Sequence, residues 1–329
     1  MQSVQEYLDQ NIFTFPSPVS VGFDDPREKL ENRIFRILTN STFRSGPLTE
    51  DISKMIKTKI ALSVKESKPI TLIVGMGGGR GINTLGHPGI NWAEIFHLKF
   101  LFDQLGKITK IFEPGVLIEF CTDDYAVELI NNYKKEDIDV YHYEFGAAMS
   151  FFNKKLPTNF QFNLRRSSDS YPDKEKLKAQ VYEEEKKLRL DSQQCESIKK
   201  EWFDRAMNNI DFPPNLNKEE KEKLALDRMI LNIAWLNTDF ANRGDYFEGG
   251  VNISLIHFNA FPGFQTKTVK SSNIQFWKGN GILMTQGDSY YPDVISRKKY
   301  AESRDMIKTV KVTTPKEIRY KGLVSVPVL

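Results

Sequence analysis

Gly75-Met76-Gly77-Gly78-Gly79-Arg80-Gly81 sets five glycines and one guanidinium directly after a short β-branched run. Clustered glycines let backbone N–H groups approach a phosphate closely. A guanidinium inside such a loop can clamp a phosphate or carboxylate bidentately. Gly77, Gly78, Gly79 and Arg80 are therefore a candidate anion cradle. The loop matches neither standard template. A P-loop ends in Gly-Lys-Ser/Thr, and a dinucleotide fingerprint counted from Gly75 needs glycine where Arg80 stands. The other reading of these glycines is a flexible tight turn.

Three further groups can do chemistry. In Leu85-Gly86-His87-Pro88-Gly89-Ile90-Asn91-Trp92-Ala93-Glu94, Glu94 projects into the apolar stripe of the helix that follows. A carboxylate in a first turn is favoured by the helix dipole, and partial desolvation suits it to acid or base work. It could equally do no more than cap the helix. His87 lies in the loop on the ligand side, whereas His97, at the edge of the stripe, reads as a core or surface histidine. Asp123-Asp124 closes an apolar run, where adjacent acids bind a hydroxyl, an amine or Mg²⁺, or simply form a turn or a cap before Tyr125. In Val251–Phe258, alternation puts His257 on the face of Val251, Ile253 and Leu255. A lone histidine there is either a satisfied core residue or a proton carrier. Arg165, Arg166 and Lys267 could serve an anionic ligand, although surface ion pairs are the default for such residues.

The elements that must position these groups follow from periodicity. A helix is expected from Asp25 to about Leu38, capped by Asp25 with Pro26 in its first turn. Another is expected over 48–65, with Thr49 as cap and Ile52, Met55, Ile56 and Ile60 on one stripe. Pro69–Val74 reads as a buried strand. Asn91–Phe112 reads as a helix, with Ile95, Leu98, Leu101, Phe102, Leu105, Ile108 and Phe112 on its apolar side. Pro114-Gly115 then turns the chain into the strand Val116–Cys121. Strand, loop, helix, strand is a βαβ unit with parallel strands. Ligands in such sheets sit beyond the carboxyl ends, where the glycine loop and Asp123-Asp124 both fall.

Residues 172–230 are dense in Lys and Glu and predict exposed helices. Asn217 and Glu220 make a capping box for a helix through Leu236. Strands are expected at 251–258, 266–270, 274–277 and 281–285, and two more β-like runs in the last 25 residues. The expected fold is α/β, with a Rossmann-like parallel sheet core, a helical covering and a β-rich C-terminal half. The expected organisation is a surface segment over 1–26, an α/β half over 27–171, a charged helical segment over 172–248, and a β-rich part over 249–329 that completes one globule.

The chain has 329 residues, with Lys+Arg 46 against Asp+Glu 43 and a net charge of +3. That balance argues against a nucleic-acid partner. Two cysteines, Cys121 and Cys195, cannot build a disulfide framework or a cysteine-rich zinc site, which fits a reducing compartment. No basic residue precedes Arg27 and no apolar run approaches a membrane span, so a cytoplasmic protein without a membrane partner is expected.

Lys68–Asp124 resembles the pyoverdine/dityrosine biosynthesis family, the isocyanide synthases. That family carries a strand, a loop, a Leu-Gly-His-Leu-Pro-Asp-x-Gly-Glu stretch, a helix, a Tyr-x-Pro-Gly turn and a strand ending in Ser-Asp-Gly. Leu85-Gly86-His87, Glu94, Pro114-Gly115 and Asp123 fall on those features. Gly249–Lys267 is similar to the family's Arg-Leu-Ser-Ile-His segment, with His257 on its histidine. Two departures stand out. The family's Pro-Phe-Lys-Ser-x-Asn after the first strand is replaced by Gly75–Gly81, where Arg80 is the one cation, and Asp124 replaces a glycine.

The resemblance implies chemistry that joins the α-amine of an amino acid to the carbonyl of a pentulose phosphate and extrudes an isocyanide carbon. Glu94, Asp123 and His257 would then be catalytic. Gly77, Gly78, Gly79, Arg80, His87, Asp124 and Lys267 would bind substrate. No cofactor and no metal would be needed, and an iron-dependent oxygenase would be the pathway partner. Two other readings stand beside it. One is a nucleotide- or S-adenosylmethionine-binding transferase using the glycine loop, with Asp123 as the acid at the end of the next strand. The other is a non-catalytic binding protein of the same fold, suggested by the missing lysine and the exposed helices.

Overall fold

The computed structural model of the chain describes residues 2–17, 25, 27–77, 87–131, 133–170, 173–198, 200, 212–213, 215–238, 253–254 and 264–329. In chain order the helices and strands are α1 (Val4–Tyr7), α2 (Leu30–Thr39), α3 (Glu50–Glu66), β1 (Ile70–Gly77), α4 (Trp92–Leu105), α5 (Ile108–Ile111), β2 (Val116–Asp123), α6 (Asp124–Asn131), α7 (Lys135–Asn153), β3 (Phe160–Arg166), α8 (Ser167–Ser170) and α9 (Lys174–Leu190). There follow a helical stretch at 192–198, α10 (Lys218–Leu236), β4 (Ile253–Ser254), β5 (Gly279–Gln286), β6 (Ser289–Ser296), α11 (Arg297–Glu302), β7 (Lys308–Lys311) and β8 (Ser325–Val328).

The fold is α/β. A parallel sheet runs in the order β3-β2-β1-β4. Its strands are apolar at successive positions because both faces are covered. Leu72, Val74, Ile118 and Phe120 point into the main core, with Ile95 and Leu98 of α4 and Phe145 and Phe152 of α7. Ile73 and Cys121 point the other way, into a second apolar cluster with Leu177 and Val181 of α9 and Met229, Ile230 and Trp235 of α10. The charged helices are thus not free in solvent. Their Lys and Glu face water, while a stripe at helical spacing closes the second face of the sheet. The capping box of Asn217 and Glu220 opens α10 as its sequence predicts.

The C-terminal half carries a second sheet, ordered β6-β5-β8-β7. The two sheets meet through α4, which packs its amino end on β5 and β6. Gly281 on β5 permits this approach, since a Cβ there would lie 2.2 Å from the Ala93 amide nitrogen and 2.3 Å from the Trp92 carbonyl carbon. Trp92 Nε1 donates to the Ser325 carbonyl at 2.8 Å and ties the same turn to β8. Among the described residues, no helix is long and apolar enough to cross a membrane.

Several expectations are corrected. The N-terminal segment does not lie on the surface over 4–12, because Val4, Tyr7, Leu8 and Ile12 recur at helical spacing and are buried in the core. The helix expected from Asp25 begins at Leu30, with Lys29 as cap, and Asp25 instead accepts from the Arg27 amide. The long helix expected to reach Phe112 stops at Leu105, and the chain bends at Gly106 before the short α5. The strands expected at 266–270 and 274–277 are isolated bridges, Arg44 with Thr266 and Val269 with Ser272, followed by a 3₁₀ turn over Phe276–Lys278. Helix α7 and strand β3 are additions that the sequence reading did not contain.

Candidate functional site

Parallel pairing in full register brings the ends of β1 and β2 together, so that Gly77 stands opposite Asp123. Gly75, Met76 and Gly77 thus belong to β1 and not to a loop after it, and Gly77 and the acidic pair stand at one rim, at the carboxyl ends of the strands. β3 ends beside them, with Arg166 opposite Thr122. Two helices start at this rim without a linker, α6 at Asp124 and α8 at Ser167.

Asp124 organises the rim. Its buried carboxylate accepts from Arg166 Nε at 2.9 Å, Ser167 Oγ at 2.7 Å, the Ser168 amide at 3.0 Å and Ser168 Oγ at 2.6 Å. Burial alone would raise its pKa. The hydrogen bonds from Ser168, Ser167 and Arg166 outweigh that and pull it down to about 2. Asp124 is thus a fixed anion that holds the β2–α6 and β3–α8 turns against each other. Arg166 reaches on to Asp139 of α7 at 2.7 Å.

α7 links this rim to the start of α4. Tyr141 donates its hydroxyl to Glu94 Oε1 at 3.0 Å, and Glu144 accepts from the Ile90 amide at 2.9 Å. The other Glu94 oxygen accepts from the Asn91 amide at 3.0 Å and completes the capping box of α4. Glu94 is fully buried with both oxygens engaged inside the protein. Of the two readings its sequence allows, the geometry displays the cap, extended by a tyrosine from the neighbouring helix.

His142 lies next to Tyr141, one turn beyond Asp139. It is 5% exposed, and neither ring nitrogen has a hydrogen-bond partner; the Ile138 carbonyl one turn earlier acts on it without completing a bond. Burial first, then the charge of Arg166, hold its pKa at about 4 against the pull of Asp124 and Asp139. His142 is therefore a neutral imidazole beside the rim network, with a nitrogen open to a proton. Its signal in the sequence is the spacing Ile138, Tyr141, His142, Phe145, Met149, Phe152, which marks a buried helical face. His97 differs. Its Nδ1 lies 2.9 Å from the Thr268 carbonyl and its ring stacks on Phe276 at 4.6 Å, which makes it a satisfied core histidine.

The remaining sequence candidates divide as follows. Gly78, Gly79, Arg80 and His257 lie outside the described residues, and of Asp123 only the backbone position is described. His87 is buried at the foot of α4, on the side of the second sheet. Lys267 follows the bridge to Arg44 and donates its amide to the Phe43 carbonyl, and among the described residues no hydrogen bond or ion pair ties its side chain to the rim. No cluster of three or more His, Cys, Asp or Glu side chains among the described residues is arranged to hold a metal ion.

No family model matches the chain, and no curated protein matches it. Among solved structures, the chain is similar to the PvcA protein from Pseudomonas aeruginosa, with a TM-score of 0.64 and 14% identity over 92% of this chain and 100% of that one. A second structure, tyrosyl-tRNA synthetase from Aeropyrum pernix, aligns with 63% of this chain and 50% of its own at 10% identity, with a TM-score of 0.27 too low to carry an argument. The chain therefore shares the overall fold of PvcA.

Proposed function

We propose that this protein is a biosynthetic enzyme of the isocyanide-synthase kind, which joins the amine of an amino acid to the carbonyl of an anionic co-substrate at the rim of its parallel sheet. The observation that supports this reading most is the register of Gly77 against Asp123, which brings the carboxyl ends of β1 and β2 to one edge of the sheet. The family-like segments in family order support it, as does a fold shared with PvcA along that chain's whole length.

In this reading Arg80 and the amides of Gly77, Gly78 and Gly79 hold the anion. Asp123 and His257 bind the amine and move its protons, and His87 and Lys267 contact substrate. Glu94 acts at one remove, by fixing α4 and Tyr141. Asp124 fixes the turn that carries Asp123.

Incubation with each of twenty amino acids and ribulose 5-phosphate, read by mass, tests it. An isocyanide product from at least one amino acid is expected; neither product nor binding would overturn the assignment. Arg80→Ala should abolish binding of the phosphate and leave the fold intact, and unchanged affinity would remove the anion role. A rise in melting temperature with S-adenosylmethionine or a nucleotide, and none with the sugar phosphate, would replace this reading with a transferase.

A further inference from the structure

We propose that the free edge of β7 binds an extended acidic segment of a partner protein, which adds to the second sheet as a further strand. This surface is separate from the rim, and the proposal does not depend on the function assigned there.

Register decides which backbone groups are open. β7 is an edge strand, since the sheet runs β6-β5-β8-β7. The Val312 amide donates to the Val324 carbonyl at 3.1 Å, and the antiparallel pairing sets Val310 opposite Val326 and Lys308 opposite Val328. Bonded and unbonded pairs alternate, so Lys308, Val310 and Val312 turn their amides and carbonyls to β8, and Thr309, Lys311 and Thr313 turn theirs outward. Thr313 is already met: Gln5 Oε1 accepts from its amide at 2.8 Å, and Gln5 Nε2 donates to its carbonyl at 3.0 Å. One carboxamide there does what a neighbouring strand would do. Among the described residues, nothing bonds the amides and carbonyls of Thr309 and Lys311, and both residues are exposed. The edges of β3 and β6 differ. Asn153 accepts from the Phe162 amide of β3 and donates to its carbonyl, both at 2.9 Å. On β6, Ser271 and Ser272 donate to the Pro292 and Val294 carbonyls, and Pro292 has no N–H to offer. An edge left open in a fold that meets its others is a template for strand addition.

Charge selects the partner. Residues 297–321 hold nine Lys and Arg against Glu302, Asp305 and Glu317. Arg304, Lys308, Lys311 and Lys316 are exposed, and among the described residues none of them is in an ion pair. Lysines along an edge repel a basic strand and attract an acidic one. A second copy of this chain would add its own Lys308 and Lys311 to the same short seam, which opposes self-pairing. Alternation sets Lys308 and Lys311 on opposite faces of β7. An added strand therefore meets both with acids three positions apart, one on each face. The open stretch is bounded by Gln5 at Thr313 and, at the other end, by the Ser303 carbonyl, which accepts from the Ile307 amide at 3.1 Å. The segment that fits is short, so its charges supply much of its selectivity.

Calorimetry on the full chain with the peptide Thr-Val-Asp-Val-Thr-Glu-Val-Thr tests the surface, beside a control peptide with lysine at both acidic positions. The acidic peptide should bind, with the lysine peptide at least about tenfold weaker. Hydrogen exchange locates the contact. The Thr309 and Lys311 amides should exchange fast in the free chain and slow by about tenfold or more at saturating peptide, while those of Val310 and Val312 stay protected throughout. Thr309→Pro removes an outward N–H that bonds nothing, so it should keep the fold and weaken the peptide about tenfold. If that variant fails to fold, Lys308→Glu combined with Lys311→Glu carries the test, and should lose the acidic peptide and gain the lysine one. The proposal is overturned if the acidic peptide does not bind at about 1 mM, if both peptides bind equally, or if binding leaves the Thr309 and Lys311 amides unprotected. Protection of those amides by polyuridylate and not by the peptide, or by self-association of the chain alone, would overturn it as well.

Discussion

Replacing Asp124 with Asn removes the charge on which Arg166, Ser167 and Ser168 converge, and it leaves Arg166 with Asp139 alone. The expected cost is about 2–4 kcal/mol, since a partly buried charged network loses its centre. Because the folded-state pKa, about 2, lies below the usual carboxylate value, the native protein holds this contribution above about pH 4 and loses it as the pH falls toward 2. Urea titrations of native and variant chains across that window should therefore converge. His142 behaves in the opposite range. Burial holds its pKa at about 4, so it stays neutral in the folded chain while the unfolded chain takes up a proton below about pH 6.5. Stability from this group is full above pH 6.5 and falls as the pH drops toward 4. His142→Leu should be neutral or stabilising by up to about 1 kcal/mol at pH 7, because the ring nitrogens have no partners to lose, and should flatten the decline between pH 6.5 and 4. A midpoint lowered by more than that at pH 7 would show that the ring is bonded. None of this could be read from residue types. Asp124 and Arg166 are 42 positions apart, and only the register of β2 and β3 brings them together.

Helices α4 and α7 act as one support. Glu94 lies inside the first turn of α4, and its hydrogen bond to Tyr141 joins that turn to the helix that also holds Asp139 and His142. Tyr141→Phe should cost about 1–3 kcal/mol, because the hydroxyl bonds to a carboxylate with no access to water. A shift in urea midpoint with unchanged slope would report it, and an unchanged midpoint would mean that the bond contributes nothing. The two strands of the βαβ unit, α3 with its Thr49 cap, and α10 with its capping box were legible because each combines periodicity with a terminal signal that chemistry restricts to few residues. α7 has the same periodicity, but Lys134 at its start makes no side-chain cap and aromatic residues crowd its interior. The N-terminal helix failed for a different reason. Its polar composition masks a stripe of only four apolar residues, which tertiary packing nonetheless buries.

At the scale of the whole molecule, two sheets share one helix. α4 shares the core of the parallel sheet and rests its first turn on β5 and β8, while α7 connects that turn to the rim. The parallel half was predictable because a buried parallel sheet needs continuous apolar strands. The second sheet was predictable only as a tendency toward strands, since its order depends on β8 returning from the chain end to lie between β5 and β7. The central claim is that the loop leaving β1 and the acid ending β2 form one binding site for an anionic sugar. A crystal structure of the protein soaked with ribulose 5-phosphate measures this directly. The phosphate should lie against Gly77–Arg80, with the carbonyl carbon turned toward Asp123. A sugar phosphate found elsewhere on the molecule, or a rim still filled by the protein's own side chains at saturating ligand, would contradict it.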